Sequence, residues 1–533
     1  AEEDYALAGK DLARLKSFDF DALSPQAQLS YRLFEYQTTR SLEAYEWRYH
    51  SYPVSQMGGP HSGLPAFLIN YHRIDSPDDA RAYIDRLTAT RTYFSQLDKN
   101  LRVRAEKGIL IPKFVFPLVL GAAKNVISGH PFDADSDTDS TILADFKGKV
   151  EKLSGLSDSE KNALISEAEH ALVKSVGTAY ELLIATLNEL EAQATTDDGA
   201  WKFPDGDAFY GKALQWTTTT DMSAEQIHRL GLDEVERIHG EMRAIMKKVN
   251  FDGDLQSFFE FMRTDKQFYY PNTDEGRGDY LEDATALIAT MKGRLPELFN
   301  TFPKNELVVK RVEPFREKAA GKAFYNRGAP DGSRPGYYYA NLYDMAQMPS
   351  YQMEALAYHE GIPGHHMQIA IAQELEDVPT FRRYGRYTAY IEGWGLYSEL
   401  VPKELGFYSD PYSDFGRLAM ELWRACRLVV DTGLHHKKWS REKAISYLSE
   451  NTPNPQGDVV KAIERYIVMP SQATAYKIGM LKILELRENA KQVMGESFDI
   501  RAFHDVVLRS GPVPLSILEE NVKAWSASAA HSK

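Results

Sequence analysis

The stretch Ala357-Tyr-His-Glu-Gly-Ile-Pro-Gly-His-His366, followed by Glu392 within Ile-Glu-Gly-Trp-Gly, limits what this chain can fold into more than any other feature. A His-Glu pair with histidines just downstream and a separate carboxylate is the donor set of a single-zinc hydrolase. Zinc takes imidazole nitrogens and carboxylate oxygens, and a catalytic site keeps three protein ligands with a fourth position open for water. Glu360, beside the first histidine, stands where a base would take a proton from that water. The fold must therefore bring Glu392 to the histidines from a different part of the chain.

The spacing differs from that of an ordinary zincin. H-E-x-x-H puts two ligands at i and i+4 on one helix face, and here the i+4 position is Pro363. On an unbroken helix His366 returns to the face of His359 but lies about 10.5 Å along the axis, while His365 points roughly 120° away. Neither serves one ion. Pro363 lacks an amide hydrogen and clashes with the preceding turn, and Gly361 and Gly364 allow backbone conformations closed to other residues. A local bulge that loops out two residues turns the segment into H-E-x-G-H. His359 and His365 are then the expected ligands, with His366 either supporting them from outside or serving as the alternative second ligand.

A helix is predicted over Arg383–Leu400. Within and near it Glu374, Glu376, Glu392 and Glu399 compete for the third ligand position. Gly393 and Gly395 favour Glu392, because they permit close approach of another helix. Glu399 shares the face of Glu392 and can orient a ligand histidine from behind.

These residues resemble the domain of unknown function 885 family, through H-E-G-I-P-G-H-H and the following E-G-W-G-L-Y-S-E. The resemblance continues through Tyr52-Pro-Val-Ser-Gln-Met-Gly-Gly-Pro-His61, Pro335-Gly-Tyr-Tyr-Tyr-Ala-Asn341, the Trp423–His435 segment, Arg465-Tyr466, Pro470–Gly479 and Phe503-His-Asp505, and so covers nearly the whole chain. The family is similar to the gluzincin metallopeptidases, whose ligands are two histidines and a glutamate. The resemblance implies a large, mainly α, zincin-like fold with a small mixed β-sheet beside the active-site helix. It also implies one Zn2+ per chain on two histidines and Glu392; both His365 and His366 belong to the shared motif, and the looped-out segment favours His359 with His365. Pro470–Gly479 resembles the segment that delivers an oxyanion-binding tyrosine in helical carboxypeptidases, which points to Tyr476.

Local patterns agree with a helical protein. Asp78–Lys107, Ser157–Ala192, Ser223–Val249 and Asp283–Leu298 carry apolar residues at three- and four-residue spacing. Ser157 with Glu160 is a capping-box candidate, and Ser223 is an N-cap. Leu307–Val312 reads as a strand, and Ala323–Tyr325 and Gly336–Leu342 read as a hairpin around Gly328–Gly332. Tyr337, Tyr339 and Asn341 share one face of that last strand. Tyr339 and Asn341 are read as a substrate-binding edge, against the alternative of an aromatic strand packed into the core. Arg427, Asp431 and His435 fall four apart, a pattern read as a structural salt bridge. Arg465, Tyr466 and Tyr476 are the candidates to hold the oxygen that becomes negative during amide hydrolysis.

A chain of 533 residues exceeds one compact core. The expected division is a helical subdomain over 1–250, forming one wall of a cleft, and a catalytic subdomain over 251–533. There is no apolar run long enough for a transmembrane helix. The formal charge of −14 disfavours a nucleic-acid partner. The single Cys426 excludes an internal disulfide and a cysteine-built zinc site. Ala1 at the start, with exported relatives in the family, gives a periplasmic or exported location with the leader removed as the expectation and the cytoplasm as the alternative. The expected activity is metal-assisted hydrolysis of short peptides, with hydrolysis of a non-peptide amide or a catalytically silent binding role as alternatives. No serine stands in a G-x-S-x-G elbow. Oligomeric state is not readable from the chain.

Overall fold

Capping side chains start the helices where the sequence sets them. Ser157 accepts from the Glu160 amide while the Glu160 carboxylate accepts from the Ser157 amide, and Ser223 with Gln226 repeats the arrangement. A computed structural model describes residues 2–530 except 315, 318 and 319. The fold is mainly helical with one three-stranded sheet, as expected. No helix among the described residues is long and apolar enough to cross a membrane.

The chain forms two compact units, Trp47–Gly206 and a larger one made of Ala1–Glu46 with Asp207–Lys533. The boundaries therefore lie elsewhere than residue 250. The reason is helix Ala224–Lys248, whose apolar face packs along Pro411–His435 and so belongs to the larger core. In the smaller unit, Pro77–Glu106 packs against a helical run from Asp158 to Glu191 that passes through a π turn at Leu172–Gly177. Tyr83, Leu87, Phe94 and Tyr180 are buried there, and the Tyr180 hydroxyl donates to the His61 carbonyl at 2.6 Å.

Six helices of the larger unit position the site. They are α1 (Ala224–Lys248), α2 (Met353–Glu360), α3 (His365–Gln373), α4 (Thr388–Glu404), α5 (Pro411–His435) and α6 (Ala475–Met494). The helix predicted from Arg383 begins only at Thr388, and a separate short turn covers Thr380–Arg383. Gly385 falls in the gap, consistent with its poor helix propensity. Helices α4 and α6 cross where Gly393 meets Gly479; a Cβ on Gly393 would lie 2.5 Å from the Gly479 Cα. Buried charges join α1, α5 and α6: Lys477 Nζ lies 2.6 Å from Glu421 and 2.8 Å from Glu234, and Arg417 bonds Glu421 at 3.1 Å. Each charge in this cluster has an opposite neighbour, which offsets its desolvation.

The Arg427–Asp431 salt bridge read from the spacing does not form. Asp431 Oδ1 accepts from the Tyr210 hydroxyl at 2.6 Å and the Ser471 amide at 3.1 Å. Arg427 Nε instead donates to the Tyr466 hydroxyl at 2.8 Å, and His435 Nε2 lies 3.0 Å from the Tyr466 carbonyl. On a buried helix face, partners from neighbouring elements outcompete the residue one turn away. Burial pushes the Asp431 carboxyl up to about 7.

Strand β1 (Leu307–Arg311) runs parallel to β3 (Gly336–Ala340), and β2 (Ala323–Asn326) pairs antiparallel with β3. The hairpin is as expected, but the order β1-β3-β2 makes β3 the middle strand. Its backbone groups are spent on both neighbours, so the reading of Gly336–Leu342 as a substrate-binding edge is corrected. Strand addition needs an open edge. Tyr338 is fully buried and Tyr339 is 5% exposed, an aromatic strand packed into the core.

Replacing Gly393 by Ala should lower stability by about 1–3 kcal/mol, the usual cost of overpacking. Thermal unfolding of the metal-free protein measures it; on an uncrowded helix the same change would stabilise, so a raised melting temperature would contradict the crossing. Asp431 makes a second prediction. Its folded pKa is raised above the unfolded value, so its protonated form adds stability at low pH that is lost as pH rises from about 4 towards 7. The stability of Asp431→Asn relative to the parent should therefore increase over that window, measured by denaturant titration at each pH; a pH-independent difference would contradict it.

Candidate metal centre

The His-Glu segment is broken into two helices rather than bulged within one. Helix α2 ends at Glu360 and α3 begins at His365. Between them lie Gly361–Gly364, with a cis peptide bond between Ile362 and Pro363. Gly361 N bonds the Ala357 carbonyl and Gln368 N bonds the Gly364 carbonyl, so each helix closes its own ladder. The Trp394 indole donates to the Pro363 carbonyl at 2.9 Å and fastens the turn to α4. The expected bulge is thus replaced by a full break, and the outcome for His365 is the one the bulge was meant to achieve.

The rings of His359 and His365 lie edge to face, with centroids 4.6 Å apart. Glu392 Oε2 sits 3.5 Å from His365 Nε2 and 3.9 Å from His359 Nε2. One ligand atom from each of these three residues falls within 4.8 Å of the others, a group that could hold a metal ion. A tetrahedral ion with bonds near 2.1 Å separates its ligands by about 3.4 Å, so the three atoms are spaced for a single ion. Gly395 makes room for them: a Cβ there would lie 2.8 Å from His359 Cε1 and 3.0 Å from His365 Cε1. The two imidazoles are buried, with side chains 4% and 10% exposed, whereas Glu392 is 23% exposed and forms the open side of the group.

Electrostatics follow from this burial. His359 is pushed down to about 3 by desolvation, reinforced by His365. Desolvation also opposes a charge on His365, but Glu392 outweighs it and raises that pKa. Desolvation works against the Glu392 carboxylate too, yet His365 and then His359 bring it down to about 2. Glu399, almost fully buried, is raised to about 8 by desolvation. Its Oε1 lies 2.7 Å from His359 Nδ1, which leaves Nε2 facing Glu392. This is the position from which a carboxylate fixes the tautomer of a ligand histidine. The Tyr408 hydroxyl holds the Glu399 backbone carbonyl at 2.7 Å.

His366 faces away from this group. Its Nδ1 lies 3.1 Å from the Tyr325 hydroxyl and its Nε2 3.1 Å from the Asn305 carbonyl. Both ring nitrogens are used, tying α3 to β2 and to the segment before β1. Glu360 is buried at the end of α2, and its charge acts on His359, His365 and Tyr338.

Tyr466 and Tyr476 come together, but with an arginine other than the expected one. Arg427 bonds the Tyr466 hydroxyl and stacks 4.6 Å from the Tyr476 ring centroid, with Arg424 at 5.9 Å from the same ring. Arg424 lowers the pKa of Glu392 and Arg427 is itself stabilised by Glu392, so this cluster faces the metal-site carboxylate. Arg465 is turned to Gln472 Oε1 at 2.9 Å. Tyr339 donates to Glu313 at 3.0 Å, and Asn341 gives its amide to the carbonyls of Glu317 and Ala320. Sequence reasoning did not single out Arg424; the available signal was its place three residues before Arg427, a spacing that puts both on one face of α5.

Comparison with known proteins agrees with the architecture. A structure from Colwellia psychrerythraea, described as a putative lipoprotein, is 34% identical and superposes with a TM-score of 0.87 over 99% of this chain and 92% of its own. A second, from Shewanella oneidensis, described likewise and as of unknown function, is 19% identical with a TM-score of 0.75 over 97% of this chain and 91% of its own. The latter bears on the fold alone. No curated protein matches the chain in sequence. Residues 1–522 match the family described as bacterial protein of unknown function, DUF885, and the chain belongs to that family.

Proposed function

We propose that this protein is a zinc-dependent hydrolase that cleaves amide bonds in short peptides. The convergence of His359, His365 and Glu392 from three helices, with Glu360 directly after a ligand histidine, is the observation that carries this reading. Neutral imidazole nitrogens and a carboxylate oxygen suit zinc, and the carboxylate behind His359 completes a familiar pattern of support. Held by His359, His365 and Glu392, a zinc ion would supply a water of lowered pKa and polarise the carbonyl under attack. Glu360 would take a proton from the attacking water and return it to the departing nitrogen. Tyr476, with Arg424 and Arg427 against its ring, and Tyr466 hold the carbonyl oxygen as it becomes negative. Strand β2 has β3 on one side and no strand on the other among the described residues, which offers an edge for an extended substrate. The lipoprotein description of the 34%-identical structure favours an exported location.

The purified protein should carry about one equivalent of zinc, removable by a chelator with loss of peptide hydrolysis. His365→Ala should abolish tight zinc binding, whereas His366→Ala should weaken it by no more than the roughly 10–100-fold of a supporting contact. Metal titration reads both, and the reverse order would assign the ligand to His366. Glu360→Gln should retain zinc while peptide hydrolysis falls by about 10²–10⁴-fold, the contribution of a positioned acid–base group. Full hydrolysis in that variant, followed by mass spectrometry of a peptide mixture, would remove Glu360 from the mechanism.

A further inference from the structure

A cavity of about 400 Å³ lies against Glu392, the exposed member of the metal-site group, and three arginines line it: Arg327, Arg383 and Arg386. They come from separate places in the chain. Arg327 directly follows β2, Arg383 ends the short turn Thr380–Arg383, and Arg386 precedes α4. Among the described residues, Glu392 is the only carboxylate in the lining, and it is directed at His365. Arg383 Nε is buried without a hydrogen-bond partner, and the Arg327 guanidinium is braced 5.6 Å over the Tyr384 ring. Three permanent positive charges are thus gathered in one cavity of a chain whose formal charge is −14. A guanidinium keeps its proton at any physiological pH and presents paired donors matched to a carboxylate. The cavity is also small, near the lower end of the ~300–1,000 Å³ of ligand pockets.

We infer that this cavity binds the free C-terminal carboxylate of the substrate, so that hydrolysis at the neighbouring metal centre removes residues from the C-terminal end. The inference rests on the hydrolase reading above and names the substrate class of that same site. Arg383 and Arg386 grip the carboxylate, and Arg327 aligns the terminal residue beside the end of β2. The carboxylate is held through contacts made equally before and during bond breaking, so their loss falls mainly on KM.

The test uses one peptide sequence in three forms: a free C-terminal acid with neutral side chains, the corresponding C-terminal amide, and an amide whose last side chain is acidic. Each is given to the zinc-loaded protein and to Arg327→Gln, Arg383→Gln and Arg386→Gln, with products read by mass spectrometry and zinc content checked. The free acid should be preferred over its neutral amide by at least about tenfold in kcat/KM, the effect of a charged hydrogen bond. The preference should collapse in Arg383→Gln or Arg386→Gln, through KM and with zinc retained. Equal rates for acid and amide, or an undiminished preference in all three variants, would overturn the inference while leaving the hydrolase reading intact. Preference for the acidic side chain would overturn the C-terminal assignment and move the recognised carboxylate to that side chain. Calorimetric binding of the three peptides to Glu360→Gln separates the two readings. If the parent cleaves none of them, the hydrolase reading falls; selective binding of the free acid still supports the cavity's role, and its absence overturns that as well.

Discussion

Contact between the backbones of α4 and α6 at Gly393 and Gly479 is the constraint on which the rest of the centre depends. Glu392 precedes the contact on α4, and Gly395 follows it, where the absent side chain leaves space for both imidazoles. Tyr476 and Lys477 stand just before Gly479 on α6. Lys477 is anchored between Glu421 of α5 and Glu234 of α1, and α5 in turn carries Arg424 and Arg427. One close crossing therefore sets the carboxylate, the ring space and the tyrosine together, and a buried charge cluster holds the arginines to the same frame. Displacing either helix by the width of a methyl group would move all of these at once.

Burial then prepares the donors in different ways. His359 is driven to its neutral form by loss of water, and Glu392 stays ionised because His365 compensates for the same loss. Neutral imidazole and ionised carboxylate are the forms that bind a cation. His365 is the exception, since Glu392 favours its proton; a cation bound between them would take the place of that proton. Glu399 sits deeper, where desolvation raises its pKa and the Arg424 charge opposes that rise only in part.

Much of this centre was legible in the sequence because an ion imposes distances that few residue spacings satisfy. His359, His365 and Glu392 follow from donor chemistry and from the Pro-Gly interruption, since neither His365 nor His366 fits one ion with His359 on a continuous helix. Glu399 follows from the shared face of Glu392, and the caps at Ser157 and Ser223 follow from local hydrogen-bonding rules. The rest depended on contacts that local pattern does not encode. Alternation marks Gly336–Ala340 as a strand, yet whether it is central or at an edge is decided by the pairing of Leu307–Arg311 far upstream. Periodicity marks Ala224–Lys248 as a helix without saying which unit owns its apolar face. Arg427 was assigned to Asp431 by spacing, while its partner, Tyr466, arrives from another helix. Arg327, Arg383 and Arg386 lie on loop or turn residues, which carry no period at all.

The break at Gly361–Gly364 has a further consequence. It distributes the three donors over α2, α3 and α4 instead of stacking two of them on one helix. An ion held by them is then a cross-link, pinning the turn and closing the chain between His359 and Glu392 into a loop. The only cysteine in the chain, Cys426, is buried and unpaired, so no covalent bridge performs that task. Free energy of ion binding would become resistance of this segment to local opening, growing with the logarithm of ion concentration over the dissociation constant. The chemistry and the mechanical integrity of the segment would thus be lost together when the ion leaves, and a starved protein would become a proteolytically vulnerable one.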